Sequence, residues 1–221
     1  MPHKLMCVGR GRLAWQPYDD EPLAPDQVRV RATYGAAKHG TEMSLFKGYA
    51  LDRGPWDEDL LLFRGLPDGQ SRAEAYQAAL GNMIVGPVIE RGAAVTDLAV
   101  GQRVCLYSGF RDTVTARATS CWRLPDGMPW QSAVCLDPAD FALGAVRDGH
   151  VRAGDAVAVF GLGAIGLMVV QILRLAGATP ILALDPVAAR RDLALSLGAD
   201  VALDPAACDA GLELKQRTGG R

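Results

Sequence analysis

Several patterns are missing from this 221-residue sequence, and each absence excludes a class of protein. No apolar run approaches the roughly 20 residues that a bilayer-spanning helix needs, so no membrane partner is expected. The opening "MPHKLMCVGRGRLAWQP" has no apolar stretch long enough for a signal peptide. Charge of one sign is not in excess: 23 Lys and Arg against 25 Asp and Glu leave a formal charge of −2. That balance gives no electrostatic ground for nucleic acid as a partner. Cysteine is sparse and scattered (Cys7, Cys105, Cys121, Cys135, Cys208), odd in number and free of any CxxC. Such usage argues against a disulfide framework or a cysteine-built zinc site, and fits reduced thiols in the cytoplasm. Internal repeats and low-complexity segments are also absent. What is present is ordinary globular composition, 49% hydrophobic and 22% charged, long enough for one to two domains.

From Met1 to about Val146 the pattern is β-rich, with short strands separated by Gly, Pro and Asp. "QVRVRATY" alternates from Val28 to Tyr34, "MIVGPVIERG" is interrupted by Gly86 and Pro87, and "VGQRVCLYS" opens a third strand at Gly101. This spacing suggests a compact barrel or sandwich. Between Gly48 and Gly81 lies a less regular insert whose second half has helix-forming composition. A connection of that length is usually functional, or a surface excursion pinned by its own apolar residues.

The pattern changes near Gly149. Ala156 to Phe160 reads as a buried parallel strand, and Ile165, Val169, Ile172 and Leu175 then recur at helical spacing. "PILALD" is a second buried strand, "AARRDLALSLGAD" a helix ended by Gly198, and "VALD" a third strand. Strand, helix, strand, helix, strand is the order of a doubly wound α/β unit.

The turn "GLGAIG" joins the first of these strands to its helix. Gly161 permits the tight turn, Gly163 lets the backbone approach a pyrophosphate, and Gly166 lets the helix pack closely on the strand. Ala164 and Ile165 complete the turn, and the free N–H groups at the helix start favour an anion. Asp185 ends the second strand, 19 residues beyond Gly166, where an acid accepts hydrogen bonds from ribose hydroxyls. A carboxylate there repels a 2′-phosphate, so the expected cofactor is NAD rather than NADP. Arg190 and Arg191 follow on the next helix, placed either to lie against the adenine or as surface charges. The competing reading is a glycine turn used only for packing, with Asp185 as a helix cap.

In this order of parts the chain resembles the medium-chain dehydrogenase/reductase superfamily, on "AGDAVAVFGLGAIGLMVVQILRLAGA", "SLGADVALD", "VTDLAVGQRVCLY" and "LPDGMPWQSAV". The resemblance implies an α/β protein: a GroES-like β-rich catalytic domain over 1–148, then the N-terminal half of a Rossmann domain over 149–221. It also implies an oxidoreductase that moves a hydride between nicotinamide and an alcohol or carbonyl substrate. The branch most similar is that of the zinc-type alcohol and polyol dehydrogenases.

Residue by residue, that branch's metal site is altered here. "HGTE" stands where the family has "CGTD", so His39 replaces the first ligand. "GNM" stands for "GHE", so Asn82 replaces the second, and "DP" for "EP", which puts Asp137 in the third position. An amide is a poor zinc ligand, and a stable site wants three protein ligands plus water. The set therefore argues against a tight catalytic zinc. Were zinc bound, His39 and Asp137 would hold it, with Glu42 completing a set only in a differently folded loop. The cysteine-rich lobe that carries structural zinc in many members is absent. Thr41 matches the family's proton-relay threonine, and a hydroxyl both donates and accepts. Without a metal, His39 is the candidate base, since an imidazole's ordinary pKa of about 6.5 lies near working pH. The plainer alternative for His39 is a side chain hydrogen-bonded within a turn.

Two rival functions follow from the same residues: a zinc-free quinone or enone reductase of this fold, and a non-catalytic NAD(H)-binding protein. In each case the partner is a small molecule. The three strands of 149–221 make half of a dinucleotide fold, so the sequence is expected to be C-terminally incomplete, and a homo-oligomer is compatible with a full-length form.

Overall fold

Short runs of β-branched residues between glycines and prolines make the first half a set of short strands. The structure, a computed structural model, describes residues 1–49, 52–67, 70 and 76–220, and its contacts divide the chain into two units, Met1–Val134 and Cys135–Arg221.

The first unit contains β1 (His3–Cys7), β2 (Leu13–Pro17), β3 (Gln27–Arg31), β4 (Tyr34–Ala36), α1 (His39–Phe46), β5 (Trp56–Asp57), β6 (Leu62–Phe63) and β7 (Ala78–Ala79). Then come β8 (Met83–Arg91), β9 (Arg103–Tyr107), β10 (Thr113–Arg117), β11 (Trp122–Arg123) and α2 (Trp130–Ala133). The main sheet runs β10–β3–β8–β9–β11, with β4 also paired to β8, and a smaller sheet runs β2–β1–β7.

β8 explains why its sequence is apolar almost throughout. Successive side chains of a strand point to opposite faces. Ile84 and Val88 join Val28, Val30, Val104, Leu106 and Val114 in one core, while Met83 and Val85 join Cys105, Leu124 and Ala133 in another. Both faces are covered, so alternation disappears. Gly86 and Pro87, expected to interrupt this strand, lie within it. The Val88 N–H bonds the Gln102 carbonyl on the β9 side, so position 87 turns its nitrogen to the other edge. There the pairing register shifts at Arg29/Val30 and β3 gives way to β4, so no donor is required. A Cβ at Gly86 would overlap the Arg31 carbonyl oxygen, which fixes glycine there.

The 48–81 insert carries a small hairpin, β5 with β6, closed by an edge-to-face Trp56–Phe63 pair at 4.9 Å. Its expected helix falls partly on residues 71–75, outside the described residues. Further on, Ala78–Ala79 pair with β1 as a strand.

The second unit contains α3 (Leu136–Asp148), β12 (Val157–Phe160), α4 (Ala164–Leu175), β13 (Ile181–Leu184), α5 (Ala188–Ser196), β14 (Val201–Leu203) and α6 (Ala210–Arg217). β12, β13 and β14 form a parallel sheet in that order. β13, in the middle, is buried at all four positions, and Val170, Leu173 and Ala194 bring α4 and α5 onto the same core. Asp200 anchors the sheet start: its carboxylate accepts the Ile181 N–H at 2.7 Å and the Arg174 guanidinium at 2.6 Å. These bonds, the one to Ile181 foremost, hold its pKa below the usual carboxylate value. Among the described residues no helix is long and apolar enough to cross a membrane.

Candidate functional site

The strand β12 ends at Phe160 and the chain turns at once into α4. Gly161 takes φ of +86°, the left-handed region that favours glycine. Its N–H bonds the Leu184 carbonyl at 2.8 Å, tying the turn to the end of β13. A Cβ at Gly166 would overlap the Gly161 carbonyl oxygen, so only glycine lets the helix start this close to the strand end. Gly163 is different. A Cβ there would meet no atom of the chain within 4 Å. α4 begins at Ala164 with Gly163 as its N-cap and no side-chain cap bond, so its first N–H groups face outward unsatisfied by a side chain.

Asp185 sits at the end of β13, 3% exposed. One carboxylate oxygen accepts the Leu162 N–H at 2.8 Å, and the other accepts the Val187 N–H at 2.8 Å. The Arg190 guanidinium lies 3.4 Å from the oxygen that Leu162 also uses. These two backbone bonds, then Arg190, hold the carboxyl below its usual pKa against the opposing effect of burial. Asp185 therefore ties the glycine turn and the start of α5 together as an anion. Leu162 carries no side-chain signal for this role in the sequence, because its contribution is a backbone N–H. Arg191 turns away from the turn: it donates to the Asp185 and Pro186 carbonyl oxygens and to the Asp204 carboxylate.

The segment "HGTE" is the first turn of α1 rather than a loop. The Glu42 carboxylate accepts the Lys38 N–H at 3.1 Å, which closes the helix start, so Glu42 serves the backbone. His39 and Thr41 are exposed, and neither side chain hydrogen-bonds any described residue. The turn-bonded alternative for His39 thus has no partner among the described residues. β4 pairs with β8, and the Asn82 N–H bonds the Ala36 carbonyl at 3.0 Å. The first unit therefore brings the His39 segment and Asn82 to the same end of one sheet. Asp137 belongs to the second unit, buried in the first turn of α3, where the helix dipole favours an acid. No group of three His, Cys, Asp or Glu side chains placed to hold a metal occurs among the described residues.

A strand, a glycine turn that leaves one glycine open, an uncapped helix start and an anchored acid are the parts with which a Rossmann-type fold opens. The comparisons with known proteins agree. The family described as "Zinc-binding dehydrogenase" matches residues 164–221. The D-guloside 3-dehydrogenase of Escherichia coli (strain K12) is 40% identical over 225 residues, covering 98% of this chain and 63% of the relative. The (R,R)-butanediol dehydrogenase of Bacillus subtilis (strain 168) is 31% identical over 175 residues, covering 66% of this chain and 50% of the relative. The crystal structure of 2R,3R-butanediol dehydrogenase from Bacillus subtilis superposes with a TM-score of 0.78 at 24% identity, covering 99% of this chain and 68% of that one. The chain belongs to the medium-chain dehydrogenase/reductase superfamily, and it spans about 63% of the length of the D-guloside 3-dehydrogenase it matches.

Proposed function

We propose that the protein is an NAD-dependent oxidoreductase acting on a hydroxyl or carbonyl group of a small molecule. In this reading 1–148 is the catalytic domain and 149–221 the cofactor half. The observation that carries it is the Gly161–Gly166 turn pinned to Asp185 through the Leu162 N–H. The donor set fits a dinucleotide: the N–H groups at Gly163, Ala164 and Ile165 suit a pyrophosphate, and Asp185 suits the ribose hydroxyls. When bound, the nicotinamide supplies the hydride acceptor or donor.

The chain's own residues then have these tasks. His39, exposed and without a hydrogen-bond partner among the described residues, takes the proton that a substrate hydroxyl releases on oxidation, or returns it on reduction. Thr41, on the same helical turn, passes that proton toward water. Asp137, an acid buried in the first turn of α3, is the third catalytic candidate within 1–148. Among the described residues no complete zinc ligand set occurs, so no step is assigned to zinc. The name of the Escherichia coli relative supports a secondary hydroxyl of a sugar or glycoside as the first substrate class to try.

Arg190 favours a second reading of the cofactor. Its side chain is 52% exposed beside Asp185, and a guanidinium suits a 2′-phosphate. Calorimetric titration with NAD and NADP separates the two: NAD is expected to bind at least roughly tenfold tighter, and Arg190→Ala leaves that preference standing. Tighter NADP binding, lost in Arg190→Ala, would transfer the assignment to NADP. Binding of neither would remove it. Reduction of NAD in the presence of a panel of polyols and glycosides then tests the chemistry, with His39→Gln expected to lower kcat more than it raises KM.

A further inference from the structure

We infer that the first unit carries a small-carboxylate binding site centred on Arg111. The observations are a cavity and an arginine without an acceptor. Arg111 lies between the Phe110 N–H···Leu80 pairing and the Asp112 N–H···His3 pairing, so its backbone is fixed against β1. Its side chain is half-buried and its guanidinium carbon stands 4.3 Å from the centre of the Tyr18 ring. The Tyr18 hydroxyl donates to the Thr113 carbonyl at 2.7 Å, which holds the ring in place. Nε of Arg111 is buried and has no hydrogen-bond partner among the described residues, and no ion pair to this guanidinium occurs among them.

A guanidinium remains charged at any pH a protein experiences, and it carries five donors in one plane. Stacking on Tyr18 uses the face of that plane and leaves its edge unserved. A desolvated donor with no acceptor is unfavourable, and Arg111 is one of the residues that line a cavity of about 150 Å³, with Trp15, Tyr34, Phe110 and Asp112 among the others. That is well above the roughly 10–15 Å³ one water needs. The missing group is a planar acceptor with two oxygens, which a carboxylate supplies in matching geometry.

Neighbouring acids do not fill the role. Asp112 accepts the His3 N–H at 2.7 Å and lies 3.6 Å from the His3 imidazole. Asp20 pairs with Arg29 at 3.1 Å and accepts from the Thr113 hydroxyl. Because Asp112 shares the cavity, a second negative charge on the ligand would be repelled, so the site favours a monoanion over phosphate. The walls Trp15 and Tyr34 suit a short apolar tail. None of these residues is among the candidates for catalysis or cofactor binding.

The full chain, labelled with ¹⁵N, is titrated at constant ionic strength with acetate, with acetamide and with phosphate. The Arg111 Nε–H and Trp15 indole N–H signals are followed. Acetate is expected to move both saturably, acetamide neither, and phosphate more weakly than acetate. Arg111→Met abolishes the Trp15 response, and Arg111→Lys, which keeps charge but loses the planar fork, weakens it by roughly tenfold. An absent or unsaturable acetate response overturns the proposal, as do equal responses to acetamide, tighter binding of phosphate, or Arg111→Met behaving as wild type. Should the methionine variant fail to fold, the lysine variant decides alone.

Discussion

Gly163 and Gly166 stand three residues apart in one turn and answer to different neighbours. At 166 the constraint is internal: a Cβ would strike the Gly161 carbonyl oxygen. Gly166→Ala is therefore expected to cost about 1–3 kcal/mol of stability as backbone is pushed apart. At 163 the chain itself makes no demand, since φ of −76° is open to any residue and no atom lies near a Cβ. Gly163→Ala should leave stability within about 0.5 kcal/mol of wild type yet weaken NAD binding at least roughly tenfold. Urea unfolding and calorimetric titration of both variants check the contrast. Loss of stability without loss of binding at 163 would mean that the turn serves packing alone. His39 illustrates the opposite limit of reading single residues. Its type and place in "HGTE" were legible, but its helical setting was not, because four polar or small residues carry no periodic apolar signal. That Glu42 binds the Lys38 N–H likewise follows only from the fold.

At the scale of elements, the second half was the more legible because β13 is buried at all four positions and the helices are amphipathic, which gives two unlike periods in sequence. β12, expected to be buried, instead leaves Ala158 and Phe160 exposed at the sheet edge. The extents of β12, α4, β13, α5 and β14 follow that pattern closely. The first half was harder. β8 runs through a glycine and a proline because its edge partners change at that point, a non-local cause that no short window contains. The same holds for the link between β13 and the glycine turn through Asp185. Its folded pKa lies below the ordinary 3.8, with the Leu162 and Val187 N–H bonds as the leading causes. A carboxyl with a depressed folded pKa contributes stability that is fully present above its unfolded value and lost as pH falls through the folded one. Asp185→Asn keeps one acceptor oxygen but loses the charge in both bonds. It should be about 1–3 kcal/mol less stable than wild type at pH 7. The gap should close as pH drops from about 3.8 toward the lower folded value. Denaturant midpoints measured from pH 7 to pH 2.5 test this. A gap that stays constant throughout would show that shape, not charge, makes the contribution.

Over the whole molecule, each unit has its own core, and the second has an open side. β12 pairs with β13 and with no other strand among the described residues. Beside it runs a groove of about 560 Å³ lined by Val146 of α3, Ala158 of β12, Leu173 of α4 and Leu214 of α6, among others. A parallel strand edge with apolar flanks is a template for further pairing, and the doubly wound order places another strand at this position. That makes the edge a place where the chain should associate. Sedimentation velocity is expected to show a weight-average mass rising with protein concentration. Ala158→Lys puts an ammonium into the groove, at a cost that a buried pairing cannot offset, and should hold the chain monomeric while leaving the Asp185–Leu162 link intact. A wild-type chain that stays monomeric at every concentration, or a lysine variant that associates equally well, would show that β12 does not recruit a strand and that its edge is satisfied by water.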